Sequence, residues 1–289
     1  QNPDGTLSFL FGYHNENWGE ELDIPVGENN FFSPGEADRG QPTHFLPRRN
    51  RFTFKVQVPA DWGDKELVWE ITANGVTRKA YATLAKDYIV DNVVIASETG
   101  SLGAGTSTPE SRANTPPVVT VKGDSSGGQI VRSVRVGEPL VLVAHVEDDG
   151  LPKPGNTGFL RTEGSDRMRM LRPPARITVG KTNGLFLSWN VYRGEADGVT
   201  FDPPQPKPWE DTRTSANSPW GALWVPPPVP EDGLYPVKVT FDKPGTYILT
   251  NVVPEAGGVA NPELVPSSVL QANFMPQRQA SRWLSLMRR

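Results

Sequence analysis

Three groups of residues have the types and spacing to recognise something. Trp209, Trp220 and Trp224 fall in one stretch with Pro203, Pro204, Pro206, Pro208 and Pro226 to Pro228. Open aromatic faces there would stack on sugar rings, whereas stacking against the prolines is the structural alternative. Arg282, Trp283, Leu286, Met287 and Arg288 lie in the C-terminal tail, MPQRQASRWLSLMRR, with no acid to oppose the arginines. Spaced this way, the apolar residues fall near one face of a short helix, a pattern that docks on a membrane surface or in a protein groove. Glu147-Asp148-Asp149 offers hard oxygen ligands of the kind Ca²⁺ takes, although a plain turn accounts for it more simply. Glu20, Glu21 and Asp23 read as a solvated loop.

Signals for catalysis are weaker. His14, His44 and His145 are scattered, and no two stand at metal-ligand spacing. His14-Asn15-Glu16-Asn17-Trp18 sets polar groups beside an aromatic, yet Asn and His serve equally well to satisfy loop backbone. Gly-x-Ser-x-Gly, a phosphate-cradling loop and His-Glu-x-x-His are all absent from the sequence. The expectation is therefore a protein that is not an enzyme, with no catalytic residue, metal ligand or cofactor assigned. A carboxylate-pair hydrolase ranks last among the alternatives.

These groups must be carried by a mostly irregular-looking chain. Of 289 residues, 28 are Gly and 29 are Pro, which signals many turns and long loops. Eight Trp and twelve Phe are still enough to fill real cores. The net charge is −4 with the two signs interspersed, so nothing resembles the basic stripe that follows phosphates, and nucleic acid is excluded as a partner. No apolar run approaches the roughly 18–20 residues needed to span a bilayer. Cysteine is absent, so disulfides and thiolate chemistry are excluded. Gln1 in place of Met suits a processed end, and with the all-β reading it gives an expected periplasmic or extracellular location.

Strand signals recur along the chain. Leu7 to Tyr13 is a first strand, and Leu22, Ile24 and Val26 alternate as a short edge strand. Phe52, Phe54, Val56 and Val58 share one face of Arg51 to Pro59, with Thr53, Lys55 and Gln57 on the other. Leu67 to Thr72 and Val76 to Leu84 flank Asn74-Gly75, a type I′ hairpin signal. Residues 96–115 are low in apolar side chains and read as a linker. Val118 to Val121, Val131 to Val136 and Leu140 to Val146 follow, closed by Asp148-Asp149-Gly150. Gly184 to Tyr192 turns Leu185, Leu187, Trp189 and Val191 to one side, with Trp189 as the core plug. Tyr235 to Phe241 and Gly245 to Val252 form a final pair about the turn Asp242-Lys243-Pro244-Gly245.

The segments NTPPVVTV, VRVGEPLVLVAHVEDDG, LFLSWNVYRG and VTFDKPGTYILTNVV resemble successive strands of polycystic-kidney-disease (PKD)-type and related immunoglobulin-like modules of bacterial secreted proteins. Phe241 with Pro244-Gly245-Thr246-Tyr247 is the most specific part. The usual Trp-Asp-Phe-Gly-Asp-Gly-like centre reads Trp189-Asn190-Val191-Tyr192-Arg193-Gly194, a divergent version. The resemblance covers about 116–255 and implies a non-catalytic spacer or a protein- or glycan-binding module.

The expected fold class is all-β: two immunoglobulin-like antiparallel β-sandwich domains with long Pro/Gly-rich loops and a short C-terminal helical tail. The expected boundaries are 1–95, a linker at 96–115, 116–255 with insertions at about 151–182 and 201–232, and an extension at 256–289. The expected function is that of a structural or interaction protein, an extrinsic subunit on a larger assembly. Its partners would be other protein subunits, including the periplasmic face of a respiratory or photosynthetic membrane complex. A carbohydrate-binding accessory protein using the loop tryptophans is the alternative.

Overall fold

In the computed structural model the described residues are 1–90, 115, 117–123, 130–151, 185–219, 221, 223–224, 227–253 and 270–273. The 96–115 linker is outside them except for Thr115. The 151–182 insertion is outside except for Leu151, and the 256–289 extension except for one strand. The expected helical tail lies wholly outside.

Alternating burial and turn chemistry set the strands of the first half: β1 (Leu7–Asn15), β2 (Leu22–Asp23), β3 (Asn30–Ser33), β4 (His44–Phe45), β5 (Arg48–Val58), β6 (Leu67–Ala73) and β7 (Val76–Ala82). They form three small antiparallel sheets: β1-β5, β2-β4 and β3-β6-β7. Phe54, Val56 and Val58 point inward along β5 as the alternation predicts. Phe52 does not complete that face. The β1–β5 register shifts between Phe11 and Tyr13, and Phe52 takes a positive φ of 48° at this bulge. The β6–β7 turn is as predicted: Asn74 and Gly75 both have positive φ, 50° and 76°, which a type I′ turn requires.

Aromatic rings fill the core between these sheets. Phe9, Phe11, Phe32, Phe45, Phe54, Trp62 and Trp69 are all buried in it. Phe11 meets Phe32 edge-on at 5.1 Å and Phe54 meets Trp69 at 5.0 Å, the arrangement that aligns positive ring edges with negative faces.

The second half supplies β8 (Val118–Val121), β9 (Ile130–Ser133), β10 (Leu140–Glu147), β11 (Ser188–Arg193), β12 (Val199–Asp202), β13 (Leu234–Phe241), β14 (Thr246–Val252) and β15 (Leu270–Asn273). Two four-stranded sheets result, ordered β12-β13-β10-β8 and β11-β14-β15-β9. All pairings are antiparallel except β15 with β9. Leu142, Ala144, Val146, Val237, Val239 and Phe241 from the first sheet meet Ile130, Trp189, Val191, Tyr247 and Leu249 from the second in one core. Trp189 is 1% exposed and is the plug its spacing predicts.

Two features depart from the expected boundaries. Phe201 and Asp202, placed by sequence in an insertion, pair with Val239 and Lys238 and so belong to the sheet. Leu270–Asn273, placed in the extension, pairs with β14 and β9. A short strand bordered by Pro/Gly-rich sequence has too little periodicity to declare itself.

Candidate functional site

β11 is the element that ties the molecule together. Trp189 and Val191 face the second core, whereas Tyr192 is buried in the aromatic core of the first half. One strand thus serves two cores with opposite faces, as the period of two allows. The Tyr192 hydroxyl donates to the Gly40 carbonyl at 2.5 Å, and its own carbonyl accepts from the Thr43 amide at 3.0 Å. Arg193 next to it reaches Asp38 with both terminal nitrogens, at 2.9 and 2.7 Å, and donates from Nε to the Gln41 carbonyl at 2.7 Å. This is the planar fork that a lysine cannot reproduce. Hydrogen bonding from Arg193 holds the Asp38 carboxyl below the usual carboxylate range, against the opposing effect of partial burial. The chain then passes Gly194, whose φ of 109° and position against the Tyr247 ring leave no room for a Cβ: one would lie 2.7 Å from a ring carbon.

A buried imidazole stands beside this junction. His44 and Asp23 are direct cross-strand partners in β4 and β2, and residues i and i+2 share a strand face, which brings Glu21 alongside. Nδ1 of His44 lies 2.8 Å from Asp23 and Nε2 lies 2.9 Å from Glu21. Burial alone would disfavour the charged ring. The hydrogen bonds and charges of the two carboxylates outweigh that and raise its pKa to about 9. At neutral pH both nitrogens are therefore proton donors, and neither has a lone pair for general-base work or for a metal. The other oxygen of Asp23 accepts from the Ala196 amide at 3.4 Å, so this ion group also joins the two halves.

A third cluster holds the loop at 203–219. Asp211 is fully buried and accepts from Arg213 Nε at 2.7 Å and from Lys207 Nζ at 2.8 Å. The Arg213 hydrogen bond, opposed by desolvation and aided by Lys207, drives its pKa far down. Arg213 also donates to the Trp18 carbonyl at 3.4 Å, a further tie between the halves. The Trp18 ring is half exposed and carries the Arg48 guanidinium 4.1 Å from its centroid.

The residues singled out from sequence separate here. Trp209 is buried, 5% exposed, so it presents no open face to a sugar; the loop closes over it through Ser218, which donates to its carbonyl at 2.8 Å. Trp224 is half buried and edge-on to Phe186 at 5.2 Å. Trp220 and the tail residues Arg282, Trp283, Leu286, Met287 and Arg288 lie outside the described residues. Asp148 and Asp149 accept from the amides of Gly150, Leu151 and Thr115 at 2.7 to 2.8 Å and so serve here as turn residues, while Glu147 ends β10. Glu21 and Asp23, expected to be solvated, are instead the partners of His44. Among the described residues no group of three or more His, Asp or Glu side chains is arranged to hold a metal, and no helix is long and apolar enough to cross a membrane.

The described residues thus define an all-β chain with two cores joined by a charged clamp. No protein-family model matches the chain, and no curated protein matches it. Among solved structures it is similar to invasin, a bacterial integrin-binding protein, at 10% identity, over 94% of this chain and 39% of that one, with a TM-score of 0.20. A likeness at that score carries no inference about this chain.

Proposed function

We propose that the chain is a non-catalytic structural and interaction protein: an extrinsic periplasmic or extracellular subunit that docks on a larger membrane assembly. Its two halves would be immunoglobulin-like sandwiches, the second of PKD type. The observation carrying this reading is a run of apolar side chains left in solvent just past β7. Leu84, Tyr88, Ile89 and Val90 are all exposed, with Tyr88 at 71% and Ile89 at 62%. Apolar groups gathered in one surface stretch favour a protein partner over water. The clamp of Tyr192, Arg193 and Asp38 supports the same reading, because a docking subunit must present its surface from a rigid frame. The arginine- and tryptophan-bearing tail at 282–288 adds a second contact.

The test is native co-purification from gently solubilised membranes of the source organism. The expected result is stoichiometric recovery with a membrane complex, weakened by deleting residues 277–289 or by Tyr88→Glu with Ile89→Glu. Recovery of the intact chain as a free species overturns the proposal.

A further inference from the structure

The tip of the β6–β7 hairpin, Asn74-Gly75, is exposed at both residues. Beyond its chain neighbours, no atom lies within 4 Å of where a Cβ on Gly75 would stand. The cross-strand hydrogen bonds that close a two-residue turn belong to the flanking pair, here Ala73 and Val76. Among the described residues neither the Gly75 amide nor the Asn74 side chain has a hydrogen-bond partner. Other asparagines differ. Asn15 and Asn30 are buried, Asn50 donates to three carbonyls at 3.1 to 3.2 Å, and Asn217 donates to the Gln205 carbonyl at 3.1 Å. Of the described asparagines, Asn74 alone precedes a glycine.

This pair can react with itself. The Gly75 backbone nitrogen is a nucleophile, and the side-chain amide carbon of Asn74 is an electrophile within reach of a five-membered ring. Attack forms a bond from the Gly75 nitrogen to Cγ and breaks the bond from Cγ to the side-chain nitrogen. That nitrogen leaves as ammonia with the proton given up by the Gly75 amide. Water then opens the succinimide at either carbonyl, which yields aspartate, or isoaspartate with the main chain running through Cβ and Cγ. Water is the one co-reactant. Glycine has no side chain to shield its nitrogen, so it is the most permissive residue to follow the asparagine.

The fold sets when the ring can close. A type I′ turn holds its first central residue at a ψ of about +30°, which turns the next nitrogen away from Cγ. Closure therefore waits on fraying of the tip, the part of a hairpin with least packing to resist it. The product also matters to the fold. Isoaspartate lengthens the backbone of a two-residue turn and so removes the geometry that matches the strand twist. β7 has little else to hold it: Val76 through Tyr81 are exposed, and among the described residues it pairs with β6 alone.

We propose that Asn74-Gly75 is a site of spontaneous deamidation, and that isoaspartate there frees β7 from β6 while the buried side of β6 stays in the core. It is a slow, one-way ageing device, and it stands independently of docking on a membrane complex.

The test is to age the folded full chain in mildly alkaline buffer and to map its peptides by mass spectrometry. Asn74 should convert at least about tenfold faster than Asn17, Asn50 or Asn217, with isoaspartate among the products. Conversion at 74 no faster than at those positions overturns the proposal. The structural consequence is read by hydrogen exchange at Val76, Arg78 and Ala80, whose amides bond across the hairpin. Protection there should fall by about tenfold or more in the aged chain. Asn74→Gly, aged identically, should keep its protection, because Gly-Gly suits the same turn and has no amide to lose. Full protection in chains that carry isoaspartate at 74 refutes the release of β7, and so does an equal loss in aged Asn74→Gly.

Discussion

The two halves of the molecule reach a packed core by different means. The second is a sandwich of two four-stranded sheets, whose ladders define the walls and whose interior is mostly Val, Leu and Ile around Trp189. Among the described residues the first has two- and three-stranded sheets, too narrow to enclose a core by ladders alone. It compensates with large rings and with polar side chains that fasten loops to one another. Asn30, fully buried, is the central fastener. It donates to the carbonyls of Ile24 and Pro42 at 3.0 and 2.8 Å and accepts from Trp69 Nε1 at 2.9 Å. Gln41, also fully buried, donates to the Ala37 carbonyl at 2.9 Å and accepts from the Arg39 amide at 2.7 Å. Stability in the first half is thus concentrated in a few polar atoms, whereas in the second it is spread along strands.

The sharpest way to break this contrast is Asn30→Leu. Asparagine and leucine are close in size, so packing is nearly kept, but three buried groups lose their partner. At about 1–3 kcal/mol each, partly relieved by rearrangement, the expected loss is about 3–5 kcal/mol. The comparison is Asn190→Leu in β11. That residue is also buried, but its hydrogen bonds are local ones to Ser188 at 3.3 Å. Denaturant unfolding of both variants should show the larger loss at position 30, and equal losses would refute the idea of a polar fastener.

A smaller effect follows from His44. Its folded pKa of about 9 lies above the ordinary 6.5. The unfolded chain therefore releases this proton at lower pH than the folded one. The stabilisation is fully present below pH 6.5, declines as pH rises, and is gone above about pH 9. Over that window it amounts to about 3 kcal/mol. A thermal unfolding series from pH 6 to pH 9.5 should show a steady fall that His44→Phe flattens. Among the described residues the second core contains no histidine, so the fall is expected to belong to the first half and its junction.

Much of the second half is legible in the sequence because its strands alternate. Leu142-Ala144-Val146 and Val237-Val239-Phe241 each mark a buried face, and Phe241 and Tyr247 meet at 4.8 Å across the turn that the Pro-Gly signal predicts. The first half is legible at β1, β5 and the Asn74-Gly75 hairpin, and poorly elsewhere. Asn30 and Gln41 sit in Pro/Gly/Asn-rich sequence that reads as loop, and burial of polar side chains leaves no periodic trace. The His44 group joins residues 21 and 23 to residue 44 through strands of two residues each, too short to display a pattern. The one available signal was the i, i+2 spacing of Glu21 and Asp23, which places both acids on one face. Tyr192 and Arg193 were visible as part of a strand, but alternation shows only that faces differ. That the second face would enter another core depends on contacts more than 150 positions away in sequence.

The finest test of the contrast replaces one tryptophan in each core by phenylalanine. Trp69 and Trp189 are equally buried, at 3% and 1% exposure, and each substitution removes the same atoms. Transfer and cavity terms are therefore similar, and the difference lies in the indole N–H. That of Trp69 donates to Asn30, whereas that of Trp189 meets no acceptor within reach. Trp69→Phe strands the Asn30 side-chain oxygen as well as losing a bond. Trp189→Phe instead removes a donor that is buried and unsatisfied, which offsets part of the packing loss. Trp69→Phe should be the more destabilising by about 1–2 kcal/mol in denaturant unfolding, a gap well above experimental error. In Asn30→Leu, where the acceptor is already gone, the gap should shrink toward zero. If it persists there, the difference comes from cavity shape and not from the hydrogen bond, and the first core would be fastened by its rings alone.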